Sequence, residues 1–182
     1  MAVDTILFGD CRETLKTLEE KPRMCVTSPP YYGLRDYGGE QSQIGQEQTP
    51  EEYIQNLVEV FRSVRDVLAD DGTLWVNIGD SYYNYRPGKG QSYPKQSVSK
   101  TKQDLPEQCN KRGNKLEGLK EKDLIGIPWM LAFALRSDGW YLRQDIIWHK
   151  PNPMPESVRD RCTKSHEYIF LFSKNRKYYY DN

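Results

Sequence analysis

Two consecutive prolines follow a short apolar run near the start of this 182-residue chain. Residues 24–27, with the sequence Met-Cys-Val-Thr, are typical of a buried strand, and only Ser28 separates them from Pro29 and Pro30. Because proline cannot donate a backbone hydrogen bond to a β ladder, the chain has to leave the sheet at this point. The pattern therefore predicts a strand whose carboxyl end carries a rigid turn with outward-facing carbonyls.

The rest of the chain alternates between strand and helix patterns. The clearest is a helix over residues 49–68, where Thr49 can cap the amino terminus, Pro50 takes the first helical position and one face is apolar. The other predicted elements are strands over residues 5–8, 73–79, 141–148 and 167–172 and helices over residues 11–18 and 127–137. This alternation predicts an α/β fold with a mostly parallel sheet, in a single domain over residues 1–182.

Composition excludes several classes of protein. The chain has no Cys-x-x-Cys pair and no cysteine–histidine spacing typical of zinc, so neither a metal site nor a disulfide framework is expected. Unpaired cysteines favour a reducing cytoplasm. No apolar run reaches transmembrane length, so no membrane association is expected either. The cysteines are Cys11, Cys25, Cys109 and Cys162.

Residues 82–122 form a polar segment that is almost free of aliphatic side chains and that we expect to be a long loop. From residue 86 to 122 it carries ten Lys or Arg against four acidic residues, although the net charge of the whole chain is zero. Lys111, Arg112 and Lys115 are candidates for contacts with the phosphates of a nucleic acid. A solvated tether is the alternative interpretation.

The segment from Thr27 to Tyr31, Thr-Ser-Pro-Pro-Tyr, combines groups that suit one kind of chemistry. The Ser28 hydroxyl and the Pro29 carbonyl are hydrogen-bond acceptors, and Tyr31 adds an aromatic face beside them. Acceptors next to an aromatic ring fit the amino group of a nucleobase that has been flipped out of its helix. A proline turn that only ends a strand is the alternative.

This string resembles the signature of site-specific DNA methyltransferases that act on cytosine N4 or adenine N6, which reads (Asp, Asn or Ser)-Pro-Pro-(Tyr or Phe). Four further blocks are similar to motifs of that family in order and spacing: residues 7–10, 68–80, 140–155 and 166–174. Asp10 precedes Ser28, as in the β-type order of motifs. The resemblance covers nearly the whole chain except residues 82–122.

The resemblance implies a Rossmann-like methyltransferase sheet that is incomplete. The family's cofactor-binding Phe-x-Gly-x-Gly turn, which comes last in the β-type order, is absent from this sequence. Gly88-Lys89-Gly90 does not replace it, because no strand precedes it and no helix follows. The chain ends at Asn182, where the family continues. We therefore expect a fragment, a subunit completed by a second chain or by a second copy of itself, or a protein that is inactive alone.

The resemblance also implies roles for individual residues. The catalytic set is Ser28, Pro29, Pro30 and Tyr31. The set that contacts S-adenosyl-L-methionine is Asp10, Cys11, Thr27 and Ser28, although Asp10 could simply be a turn residue. The set that contacts double-stranded DNA is Lys111, Arg112, Lys115, His149 and Lys150, with His149 otherwise a turn residue. Cys25 is interpreted as a core thiol, since it lies within an apolar strand.

The implied reaction is methylation of an exocyclic amino group in the cytoplasm of a prokaryotic or phage-like system. Cytosine N4 is favoured over adenine N6, because serine rather than aspartate precedes the prolines. Two alternatives stay open at this point. One is a nucleic-acid-binding subunit that keeps the methyltransferase fold without catalysis, and the other is an ordinary α/β domain.

Overall fold

The computed structural model of this chain describes residues 4–34, 43–83 and 116–181. Its contacts divide the chain into two compact units. The first unit comprises Met1–Asp80 and Gly126–Asn182, and the second comprises Ser81–Ile125.

All named helices and strands of the described residues lie in the first unit. The helices are α1 (Cys11–Thr14), which a 3-10 turn over Leu15–Thr17 extends, α2 (Pro50–Val67) and α3 (Ile127–Ser137). The strands are β1 (Met24–Thr27), β2 (Thr73–Ile78), β3 (Tyr141–His149) and β4 (His166–Ser173). None of the helices within the described ranges combines the length and apolar character needed to cross a membrane.

Helix α2 begins and ends as its sequence predicts. The Thr49 side chain accepts a hydrogen bond from the Glu52 backbone amide, 3.2 Å away, and Pro50 takes the first helical position. The Glu52 carboxylate reaches back to the amide of Gln48 at 3.1 Å. Its apolar face packs into the core, where Leu57 and Phe61 are almost fully buried. This burial fixes the helix against the sheet.

The sheet of the described residues has four strands in the order β1-β2-β4-β3. Strands β1 and β2 are parallel, whereas β4 runs antiparallel to both β2 and β3. The prediction of a mostly parallel sheet is therefore wrong. Residues 150–165, which connect β3 to β4, contain no helix and return the chain as an antiparallel neighbour. Strand β1 is an edge strand of this sheet.

The predicted strand over residues 5–8 does not form. These residues belong to none of the strands in the described part of the chain, and their apolar side chains face solvent: Ile6 is 78% and Phe8 88% exposed. An apolar run predicts a strand only when a neighbouring strand completes its hydrogen bonds. The next predicted element, a helix over residues 11–18, is present as α1 and its 3-10 extension.

The second unit is described at its two ends, residues 81–83 and 116–125. The ends are joined by backbone hydrogen bonds: the Tyr83 amide donates to Asp123, and the Lys122 amide donates back to Tyr83, both at 2.8 Å. Tyr82 and Leu124 form an isolated antiparallel bridge. The polar segment predicted as a loop is therefore closed at its base by paired backbone.

Candidate active site

The predicted functional residues lie at one end of the sheet, where β1, β2 and β3 end and β4 begins. Because β1 and β2 are parallel, Ser28 and the residues after Ile78 leave the sheet on the same side. Strand β4 is antiparallel to β2, so its first residue, His166, lies at this end of the sheet and pairs with His149 at the end of β3. The topology thus brings the predicted residues Ser28, Tyr31, His149 and Lys150 to the same end of the sheet, although β1 and β3 are its two outermost strands.

Helix α2 holds the Ser-Pro-Pro turn. The hydroxyl of Tyr53 donates to the Pro30 carbonyl at 2.7 Å, and burial raises the pKa of that phenol well above its usual range, so it stays a donor. Pro29 is buried and Ser28 is exposed. No described residue donates a hydrogen bond to the Pro29 carbonyl. The turn therefore presents an exposed serine followed by a proline whose carbonyl accepts no hydrogen bond from the described residues, on a rigid support.

Tyr31 is held at both its ring and its hydroxyl. The phenol lies 3.0 Å from Oε2 of Glu167 and 3.3 Å from Oδ1 of Asn77. Its ring packs on the backbone of Gly79, where an added Cβ would lie 2.6 Å from the ring atom Cε2. Burial raises the pKa of Tyr31, and the neighbouring carboxylate of Glu167 acts in the same direction. The ring of Tyr31 is thus fixed as one wall of the site.

Glu167 connects this wall to the end of β3. Its other carboxylate oxygen, Oε1, forms an ion pair with the ammonium group of Lys150. Burial raises the pKa of Glu167, but the hydrogen bonds from Lys150 and Tyr31 outweigh burial, and the net pKa is lowered. The amide nitrogen of Asn77 donates to the Tyr168 carbonyl at 3.2 Å, which turns Oδ1 of Asn77 toward the phenol. Glu167 is therefore ionised and its partners are fixed.

Reasoning from the sequence missed Glu167, Asn77 and Gly79. Each lies in a block that carries the family resemblance, residues 68–80 or 166–174, which is the signal that could have found them. Lys150 and Glu167 form an ion pair only because the fold brings two strand ends together. The spacing of residues along the sequence does not reveal such a pair.

The residues expected to contact the cofactor are not joined into one cluster. The carboxylate of Asp10 accepts from the backbone amide of Arg12 at 2.9 Å and from its guanidinium at 2.6 Å, and these hydrogen bonds lower the pKa of Asp10 to about 2. Among the described residues no hydrogen bond links Asp10 to Thr27 or Ser28. Asp10 instead caps the start of α1, and the Cys11 thiol is exposed.

Two further charged residues border the site. Asp80, just after β2, accepts hydrogen bonds from the Gly126 and Ile127 amides at 3.0 and 3.1 Å and so caps α3. Burial lowers the pKa of Lys164, and the nearby carboxylates of Asp80 and Glu167 oppose that shift.

Of the expected DNA contacts, His149 is exposed and Lys150 is half-buried against Glu167. The other three, Lys111, Arg112 and Lys115, lie outside the described residues. Within the described ranges no cluster of three or more histidine, cysteine or acidic side chains could hold a metal ion. The site thus consists of hydrogen-bonding groups, an aromatic wall and a lysine–carboxylate pair.

Known proteins resemble this chain along most of its length. The type II methyltransferase M.SmaI of Serratia marcescens is 55% identical over 177 residues, which are 97% of this chain and 58% of that protein. M.Cfr9I of Citrobacter freundii is 51% identical over 181 residues, or 97% of this chain and 56% of the relative. The chain therefore spans little more than half the length of these curated relatives.

Solved structures resemble the fold. The PvuII DNA methyltransferase, described as cytosine-N4-specific, superimposes with a TM-score of 0.60 at 16% identity, covering 93% of this chain and 49% of that one. A Thermus thermophilus DNA modification methylase complexed with S-adenosyl-L-methionine gives 0.59 at 21% identity, covering 96% and 54%. Both confirm the Rossmann-like methyltransferase fold. The sequence model of the N6/N4 methyltransferase family, whose description is DNA methylase, matches residues 23–182 of this chain. This chain belongs to that DNA methylase family.

Proposed function

We propose that this chain carries the base-binding turn of an enzyme that methylates an exocyclic amino group of a flipped base in double-stranded DNA. The observation that carries the proposal is the pair of acceptors, the exposed Ser28 hydroxyl and the Pro29 carbonyl, at the end of β1 beside the fixed ring of Tyr31. Membership in the DNA methylase family supports it. Ser28 in place of aspartate favours cytosine N4 over adenine N6 as the target.

The chemistry of the turn follows from its two acceptors. An aromatic amino group shares its lone pair with its ring, so it is a poor nucleophile. Hydrogen bonds from its two N–H groups to Ser28 and Pro29 draw the lone pair out of conjugation and hold the nitrogen in place. Removing one positioned hydrogen-bonding group from an active site costs about 3 kcal/mol of transition-state stabilisation, and we expect a similar contribution from these acceptors. The nitrogen can afterwards lose a proton to water, so neither His149 nor His166 is needed as a base.

The methyl donor we propose is S-adenosyl-L-methionine, which supplies an electrophilic methyl group when bound. Asp10, Cys11, Thr27 and Ser28 are proposed to contact it. The exposed and ionised carboxylate of Asp10 suits the amino and hydroxyl groups of such a ligand. The described residues offer no glycine-rich strand and turn for its methionine end, however. We therefore propose that a further segment or chain completes the cofactor site.

In the part of the chain that the structure describes, β1 pairs with a strand on one side only, and this supports the second part of the proposal. An unpaired edge with apolar side chains invites pairing with another strand. Met24 and Val26 of β1 are 59% and 69% exposed, and Ile6 and Phe8 are exposed as well. Such a complex, acting on DNA in a prokaryotic or phage-like cytoplasm, also agrees with the unpaired thiols of Cys11, Cys25 and Cys162.

The test is methyl transfer from tritiated S-adenosyl-L-methionine to duplex DNA, with this chain alone and with the completing segment, followed by mass spectrometry of the nucleosides. We expect N4-methylcytosine from the completed assembly. Detection of N6-methyladenine instead would support the proposed reaction and identify adenine as the target base. DNA binding without any methylated nucleoside would instead favour a non-catalytic nucleic-acid-binding subunit.

A further inference from the structure

Strand β3 lies at the edge of the sheet opposite β1, and in the described part of the chain no strand pairs with its outer side. The Lys150 amide donates to the Ser165 carbonyl at 2.7 Å, which makes these two residues a hydrogen-bonded pair at the end of the β3–β4 ladder. Because hydrogen-bonded pairs alternate along an antiparallel ladder, Asp145, Ile147 and His149 direct their backbone N–H and C=O groups away from β4. These groups are placed to pair with another strand.

The accessible part of this edge carries large apolar side chains, since Ile147 and Trp148 are 53% and 51% exposed. Native edge strands are commonly protected by charges, prolines or a covering segment, and an exposed apolar edge favours pairing with another molecule. Nearer its start, β3 is less regular, because its register with β4 shifts there and Cζ of Arg143 lies 5.3 Å from the ring centroid of Tyr178. The regular, accessible edge is therefore residues 144–149.

We propose that β3 is a self-association surface, on which two copies of this chain pair their edges antiparallel about a two-fold axis at Ile147. In this register Asp145 lies opposite His149 of the second copy, and the symmetry repeats that pair on the other side of the axis. An imidazole can donate an N–H to a facing carboxylate. On the other face of the strand, Trp148 lies opposite Ile146 of the second copy. Such cross-strand pairs stabilise facing strands, whereas facing like charges destabilise them.

The sequence of the edge favours this register over its neighbours. A two-fold axis at Asp145 would place two carboxylates face to face. An axis one residue later would set that carboxylate against an apolar side chain. An axis at Trp148 or His149 would bring Pro151, which has no N–H, opposite a residue whose backbone groups point outward. The axis at Ile147 avoids all of these conflicts.

The pairing forms a closed dimer, because the same edge is used by both copies and is consumed when they meet. It gives His149 a role other than the expected contact with DNA. The β3 edge lies across the sheet from β1, where the completing segment is proposed to bind. The inference therefore does not depend on the proposed function.

A disulfide at the two-fold axis tests the pairing and its register, in the full chain with its native cysteines replaced by serine. Facing residues of a hydrogen-bonded antiparallel pair lie about 5.5 Å apart at Cα, within the range that a disulfide bridges. Ile147→Cys should therefore give a covalent dimer on mild oxidation. Ile146→Cys is the matched control, because its counterpart in the second copy is diagonal to it, about 7–8 Å away, and it should cross-link several-fold less.

A charge exchange tests the side-chain pairing, with the dissociation constant of the dimer measured by sedimentation equilibrium of this chain. His149→Asp places two carboxylates face to face on both sides of the axis and should raise that constant on the order of tenfold. Adding Asp145→Lys restores opposite charges and should return the constant to within a few-fold of the wild-type value. Val26→Lys, on the exposed edge of β1, is the control and should leave the constant unchanged.

The contrary outcomes are distinct. A wild-type chain that stays monomeric at high micromolar concentration overturns the proposed interface. So does a dimer that Val26→Lys weakens and His149→Asp does not, since that dimer would form through β1. Equal cross-linking of Ile146→Cys and Ile147→Cys contradicts the register and overturns the proposal. None of these results changes the expectation of methyl transfer, which is measured separately in the completed assembly.

Discussion

Gly79→Ala tests whether the Tyr31 wall is as tightly held as the structure indicates. An added Cβ at residue 79 would lie 2.6 Å from Cε2 of Tyr31 and 3.2 and 3.3 Å from Cδ2 and Cζ. Carbon atoms prefer separations of about 3.5–4.0 Å, so the ring would have to retreat by about 1 Å. It cannot do so without stretching the hydrogen bonds of its phenol to Glu167 and Asn77.

The size of the effect follows from two opposing contributions. Overpacking of this kind costs roughly 1–3 kcal/mol. Gly79 does not have a left-handed backbone, so alanine introduces no backbone strain there, and it gains about 0.4–1 kcal/mol by restricting the unfolded chain. We therefore expect Gly79→Ala to lower the free energy of unfolding by about 1–2 kcal/mol, as measured by urea unfolding with tryptophan fluorescence.

A double-mutant cycle assigns that loss to the ring. In a Tyr31→Ala background the ring is absent, so the same glycine substitution should be neutral or slightly stabilising, giving a coupling energy of about 1–3 kcal/mol. Equal destabilisation by Gly79→Ala in both backgrounds, or no destabilisation in the wild type, would show that the Tyr31 ring does not pack tightly on Gly79.

Three further predictions concern the support of the turn and the ligands. Tyr53→Phe removes the hydrogen bond to the Pro30 carbonyl and should lower the free energy of unfolding by about 1 kcal/mol in urea titrations, and an unchanged midpoint would contradict this. Replacing Lys111, Arg112 and Lys115 by alanine should flatten the slope of log affinity against log salt for duplex DNA by roughly 2–3, measured by fluorescence anisotropy, whereas an unaltered slope would favour a tether. Calorimetry of this chain alone should detect weak binding of S-adenosyl-L-methionine or none, and micromolar affinity would contradict the need for a completing segment.

The sequence predicted correctly those helix and strand ends that depend on residues close together in the chain. The cap at Thr49 and the proline at residue 50 defined the start of α2, and the prolines after Ser28 correctly ended β1. These signals depend on the chemistry of a few neighbouring residues: a side-chain cap and the restricted backbone of proline. They are therefore readable before any tertiary contact is known.

Features that depend on distant partners were predicted poorly. Residues 5–8 have strand-like composition, but a strand also needs a neighbour, and none is present among the described residues. The antiparallel direction of β4 follows from how the chain returns after residue 150, which apolar patterning does not encode. The contact between Tyr31 and Glu167 spans 136 positions, so only the fold brings the two together.

Ser28→Ala is the measurement that tests the central claim most directly. The substitution removes one acceptor from an exposed position and should leave the fold unchanged. In the completed assembly, with tritiated methyl donor and duplex DNA, a loss of about 3 kcal/mol in transition-state stabilisation corresponds to a fall in kcat on the order of a hundredfold. We predict that fall in a variant whose unfolding midpoint matches the wild type. Wild-type methyl transfer by a well-folded Ser28→Ala variant would contradict the proposal that this turn holds the target amino group.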